Sequence, residues 1–365
     1  MWKTTEGSTG RLLQLCGGYF LAYVATGLLV KAFTAAPHTP VGAPPMNAIA
    51  FLGYNTLGAN LTCLLPVLGL GWFRLRTTRV MRLGGMTLPS ELLYIVPSGV
   101  CTAIIIPTTT LMYTLPISVM VAMVIMRASV IVIGRVVDGL QIAQGILRKR
   151  IYWEENAAVV FAVLAACIEL FGAHTGGFAF LRNRAAVVIF NSYIAAYAVR
   201  IYLMNYFKNT RPRGVPLDNT GYFGLEQISA SVAMALLALV ILQGPRVFPG
   251  WLEAPQVADF VASVRQPAPG WFWAALSGIA FGLVAFFSVF IFMFKGRTAT
   301  FTGLLNRLTS LVAGTTATVL GHWLFRSRLP SLQNWISLGF VLVAVVFLTR
   351  AERRRAVELK LAREI

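Results

Sequence analysis

Histidine is scarce in this chain, with three copies in 365 residues, so no histidine cluster exists to hold a metal or carry out acid–base work. Acidic side chains number thirteen, and none forms a carboxylate pair at a spacing suited to catalysis. Glu154 and Glu155 are adjacent, but they sit at an expected helix start, where carboxylates favour the helix dipole. The four cysteines, Cys16, Cys63, Cys101 and Cys167, fall inside apolar segments without metal-ligand spacing, which reads as small buried hydrophobes. There is no nucleophile elbow and no glycine-rich phosphate loop. These absences argue against an enzyme and imply neither cofactor nor bound metal.

Charge is also sparse. Charged residues make up 12% of the chain, about half the fraction usual in soluble domains. Hydrophobic residues reach 57%, and the mean hydropathy is +0.71. The expected fold class is therefore all-α: a polytopic membrane protein. The net charge of +18 does not imply nucleic acid, because the basic residues lie in short clusters between apolar runs, not on a basic domain.

About twenty apolar residues span a bilayer as a helix. By that measure ten spans are expected, at roughly 13–33, 47–72, 88–107, 115–140 and 156–173, then 185–206, 221–243, 271–294, 299–324 and 332–349. The first run is too long for a signal-peptide core and is read as an uncleaved helix. The connections at 107–115 and 295–298 are short enough to make tight hairpins. With both termini cytoplasmic, twenty basic residues fall on inner segments and six on outer loops, the asymmetry the positive-inside rule requires. Trp251, Trp271 and Trp273 would anchor one interface and Trp153 the other. Lean loops favour a bacterial inner (cell) membrane over a eukaryotic internal one.

Five spans per half is an odd number, so the second half enters the membrane from the opposite side, as an inverted repeat. The halves are 1–175 and 176–350, followed by a basic cytoplasmic tail, 351–365, read as a short amphipathic helix. The outer segment 244–270, rich in proline, glycine and tryptophan, is expected to lie along the surface.

Two arginines, Arg127 and Arg307, sit 180 positions apart, each deep in an expected span and each followed two residues later by a hydroxyl, Ser129 and Thr309. Burying a guanidinium in hydrocarbon costs several kcal/mol unless a polar partner or wet cavity compensates. The planar guanidinium fork suits carboxylate or phosphate. Arg127, Ser129, Asn306, Arg307 and Thr309 are thus the candidate solute-binding residues. Arg135 and Asp138, three apart on the fourth span, are expected to form a structural ion pair. Arg200, Glu169 and Glu226 are the other charges in or near spans. Asn47, Asn55, Asn60, Asn191 and Asn205 either line a cavity or bridge helices. Ser310, Gly314 and Thr318 read as a close-packing face, and His322 as interfacial.

Two five-helix halves, each ending in a tight hairpin, a basic turn and a last apolar span, resemble the drug/metabolite transporter superfamily, most clearly over 111–170 and 297–349. Basic residues on the fourth and ninth helices are similar to those of its nucleotide-sugar and sugar-phosphate branch, whose members use lysine or arginine on the ninth helix to hold phosphate. Asn306-Arg307 resembles the asparagine-lysine ending of a ninth-helix motif, with Gly303-Leu304-Leu305 in place of glycine-alanine-leucine. The small multidrug branch relies on a first-helix glutamate; here that span carries Lys31 and no acid. The resemblance implies a secondary transporter of a small, anionic organic solute working by alternating access. Its partners would be solute and lipid bilayer, with no nucleic acid, and a homodimer stays open. Two alternatives remain: an exporter of drugs or amino acids, its arginines paired with Glu169 and Glu226, or a non-transporting scaffold or sensor whose arginines are structural.

Overall fold

The computed structural model describes residues 9–34, 42, 44–77, 80–83, 86–114, 119–147, 151–171, 184–211, 217–294, 299–325 and 330–364. Within these, eleven α-helices dominate: α1 (Thr9–Thr34), α2 (Ala48–Gly69), α3 (Leu92–Thr114), α4 (Val119–Ala143), α5 (Trp153–Phe171), α6 (Arg184–Thr210), α7 (Asn219–Val247), α8 (Pro255–Arg265), α9 (Trp271–Phe292), α10 (Ala299–Phe325) and α11 (Leu332–Glu364). The protein is all-helical apart from one short hairpin, and seven helices are long and apolar enough to cross a membrane: α1, α2, α3, α6, α7, α9 and α11. A helix satisfies its own backbone hydrogen bonds, which is why apolar runs of this length adopt it in lipid. The other three long helices that the sequence reading counted as spans fall outside this group.

Several boundaries differ from expectation. α3 does not stop at Pro107 but continues to Thr114. Proline removes one N–H from the helix ladder, and nearby hydroxyls reinforce the same turn: Thr108 donates to the Ile104 carbonyl at 2.6 Å and Thr109 to that of Ile105 at 2.7 Å. α3 thus covers most of the hairpin expected at 107–115; residues 115–118 and the connection expected at 295–298 lie outside the described residues. The basic segment after α2 contains an antiparallel pair, Val80–Leu83 with Met86–Pro89, aligned so that Val80 faces Pro89 and Leu83 faces Met86. In 244–270, α7 runs through Pro245 to Val247, a 3₁₀ turn covers Pro249–Glu253, and α8 follows and packs on α2. Asn47, the N-cap of α2, accepts from the Ile49 amide at 2.8 Å and donates to Asp259 of α8 at 2.9 Å. The tail is not a separate helix: α11 is continuous to Glu364.

Helix neighbours set where polar side chains can meet. α9 packs against α1 and α2, α3 against α6 and α7, α10 against α1, α4 and α11, and α5 against α4 and α11. Glycine allows the closest approaches. A Cβ on Gly58 would collide with the Ala275 carbonyl, and one on Gly278 with the Asn55 carbonyl, so α2 and α9 touch backbone to backbone. Asn55 of α2 donates to Ser277 of α9 at 2.9 Å in that seam. The main apolar core joins Tyr19 and Ile95 from the first helices with Phe207, Tyr222 and Phe290 from the later ones.

Candidate functional site

Arg307 is among the largest fully buried side chains, with 1% of its surface exposed. It stands on α10 facing α6, where Tyr193 and Tyr197 occupy successive turns of one face. Its Nη1 donates to the Tyr193 hydroxyl at 3.5 Å, and the guanidinium carbon lies 4.6 Å from the Tyr197 ring centroid and 6.0 Å from that of Phe292. The two tyrosine rings are 4.7 Å apart. Aromatic faces carry negative quadrupole density, so this wall stabilises a cation. A guanidinium held in this way keeps its charge in the bundle interior.

Asn306 points elsewhere. One residue is about 100° of helix rotation, and its side chain meets α1 and α9 instead. Its Nδ2 donates to Ser288 Oγ at 3.0 Å, and its Oδ1 accepts from the Tyr19 hydroxyl at 3.3 Å. That makes Asn306 a three-helix tie with both ends of its amide engaged. Thr309 is half-buried and donates to the Leu305 carbonyl at 2.8 Å, and Ser310 donates to the Arg307 carbonyl at 2.9 Å. Of the remaining candidates, Ser129 is half-buried on α4, while the Arg127 side chain lies outside the described residues. The α4 backbone that carries both packs against α10.

Arg135 donates through Nε to Asn156 Oδ1 of α5 at 2.9 Å, a bridge between helices that the packing of α5 alongside α4 brings within reach. Asp138 is buried, 3% exposed. Glu226, a proposed partner for the two candidate arginines, instead takes Arg200: Nε to Oε1 is 2.8 Å and Nη2 to Oε2 is 3.1 Å, a bidentate pair with Glu226 fully buried. Ser98 and Thr102 of α3 donate to the same carboxylate at 2.6 and 3.2 Å, and Tyr222 donates to Ser98 at 2.7 Å. Gly99 makes this possible, since a Cβ there would lie 2.7 Å from the Glu226 carbonyl oxygen. The other proposed acid, Glu169, has its side chain outside the described residues.

Asn55 and Asn60 bridge helices, whereas Asn205 bonds within its own. Asn60 donates to the Thr56 carbonyl at 2.9 Å and accepts from Ser231 at 3.0 Å, and Asn205 donates to the Ile201 carbonyl at 2.9 Å. Asn191 is exposed. No group of three or more His, Cys, Asp or Glu side chains is positioned for a metal among the described residues. A pocket opens between α1, α2, α3, α9 and α10, with Tyr23, Thr26, Lys31, Asn55, Thr110 and Thr318 in its wall. The sequence reading identified Arg307 but missed its aromatic wall, for which Tyr193-Ile194-Ala195-Ala196-Tyr197 was the available signal: two tyrosines one helical turn apart inside a span. Arg200 and Glu226 were visible as opposite charges in neighbouring spans.

No family model matches the chain, and no curated protein matches it. A solved structure described only as "Crystal structure of protein" aligns over 95% of this chain and 99% of its own length, at 16% identity and a TM-score of 0.49. At that level the likeness establishes neither fold nor function.

Proposed function

We propose that this protein is a secondary transporter of a small organic anion, built as two inverted five-helix repeats that rock about a shared interior site. The observation that carries the reading is Arg307: a guanidinium 1% exposed, in the interior of an apolar bundle, resting on tyrosine and phenylalanine rings. An intramembrane ionisable group of this kind marks a solute path. Arg127, on the helix packed against α10, would add a second cation from the other repeat, with Ser129 and Thr309 as neutral neighbours.

The neighbour pattern supports the repeat. Exchanging α1–α5 with α6, α7, α9, α10 and α11, in that order, turns the pair α1·α10 into α6·α4, α1·α9 into α6·α3, α2·α9 into α7·α3 and α10·α11 into α5·α4. Every one of these pairs is in contact. The pairs α4·α10, α5·α11 and α2·α7 map onto themselves and are also in contact. The remaining polar assignments fit as well: Asn306 ties helices together, and Arg200 is paired with Glu226. Both termini in the cytoplasm and a bacterial inner membrane remain part of the proposal, on the distribution of basic residues.

The test is uptake into proteoliposomes by the wild type and by Arg307→Gln, using labelled nucleotide sugars, sugar phosphates and amino acids. Loss of uptake in a folded variant is the expected result. Wild-type affinity in that variant would refute the assignment.

A further inference from the structure

Lys31 has no assigned role and sits in an unusual place. It occupies the last turn of α1, half-buried, in the wall of the five-helix pocket. A cation near a helix C-terminus is favoured by the dipole, which accounts for its tolerance but not for the pocket it lines. Among the described residues it takes part in no hydrogen bond or ion pair.

Three threonine hydroxyls around it have their protons committed. Thr26 donates to the Ala22 carbonyl at 2.9 Å, Thr110 to that of Ile106 at 3.4 Å, and Thr318 to that of Gly314 at 2.8 Å. A hydroxyl that donates to its own helix offers only oxygen lone pairs to a visitor. Asn55 has likewise given an amide proton to Ser277, at 2.9 Å. The pocket therefore combines the Lys31 ammonium and the second amide N–H of Asn55 with the lone pairs of three hydroxyls. A bare anion would meet the ammonium but also unfavourable lone pairs. A solute with one anionic end and several O–H or N–H donors satisfies both.

We infer that this pocket is a docking station for a small carboxylate or phosphate monoester that also carries hydroxyl or ammonium donors, with Lys31 holding the anionic end. Gly314 and Thr318 lie seven and eleven residues beyond Arg307 on α10, which at 1.5 Å per residue is roughly 10–16 Å. The station stands along the same helix as the interior arginine, so a solute would pass from one cation to the other. The inference rests on the transporter reading for that second step but not for binding at the pocket itself.

The experiment follows thermal unfolding of the detergent-purified protein titrated with D-gluconate, L-serine and sulfate, the last an anion without donors. Gluconate or serine is expected to raise the melting temperature, with sulfate at least tenfold weaker. Lys31→Gln should weaken the organic ligand at least tenfold, and Lys31→Arg should stay within threefold of wild type. Wild-type affinity in folded Lys31→Gln, sulfate binding as tight as gluconate, or no shift with any probe overturns the assignment. If Lys31→Gln does not fold, Thr318→Val decides: a threefold or greater loss for gluconate with sulfate unchanged supports the station, and unchanged gluconate overturns it. Arg307→Gln separates the two readings. Binding retained there while uptake is lost upholds both. Wild-type uptake by Arg307→Gln, with binding lost only in Lys31→Gln, keeps the pocket and removes the interior site.

Discussion

Arg200 and Arg307 are both buried arginines in an apolar bundle, yet their surroundings differ in kind. Arg200 faces a carboxylate that also accepts from two hydroxyls, one of them backed by Tyr222. Arg307 faces a phenol and two aromatic rings. The first arrangement cancels charge and locks α3, α6 and α7 together. The second stabilises a cation against ring faces. Depth alone therefore does not separate a structural arginine from one available to a solute; the chemistry of the opposing wall does.

Four measurements would break or sharpen that contrast. The largest effect is expected from Glu226→Ala, which strands a buried guanidinium and should destabilise by about 3–5 kcal/mol. Thermal unfolding in detergent reads this, and a loss below about 1 kcal/mol would remove the structural assignment. Next, Arg307→Gln should raise the apparent KM of uptake by roughly ten- to a hundredfold, the equivalent of a charge-assisted hydrogen bond of about 1.5–3 kcal/mol, while binding at the Lys31 pocket is retained. Its unfolding temperature should fall less than that of Glu226→Ala; the reverse order would make Arg307 the structural residue. Third, Tyr197→Leu removes an aromatic face and should reduce affinity by roughly three- to tenfold, while Tyr197→Phe keeps it, in line with about 1 kcal/mol for a cation–π contact. Equal losses in both variants would implicate the hydroxyl instead. The smallest effect concerns Arg354, on the continued part of α11, which reaches Glu154 of α5 at 2.6 Å with 58% of its side chain exposed. Only the guanidinium end is solvated, since Glu154 is 1% exposed, so Arg354→Ala should cost about 1 kcal/mol, and a shift as large as that of Glu226→Ala would overturn the distinction between half-exposed and fully buried ties.

Much of the fold was legible in the sequence because apolar runs of about twenty residues have few choices in lipid. The helix locations came through, including the polar ones carrying Arg127 and Arg307. Ends were harder. The third span was expected to end at 107, but α3 continues through Pro107 to Thr114. The segment 244–270 offered no clear period, yet α8 forms there because α2 supplies Asn47 and a surface to pack on. At the site, Arg307 stood out as a charge in an apolar run, whereas the role of Asn306 was misread, since adjacency in sequence says nothing about which of three neighbouring helices a side chain meets.

What the chain determined by itself was local: which stretches become helices, and which positions place a charge where water is scarce. Both follow from hydropathy and from backbone groups that must be satisfied within each segment. Partner choice was decided only by the assembled bundle. Glu226 lies 26 residues from Arg200 and 128 from Ser98, and Tyr193 lies 114 from Arg307. Electrostatic pairing acts over a few ångströms, so it is set by which helices touch, and no run of neighbouring residues contains that information.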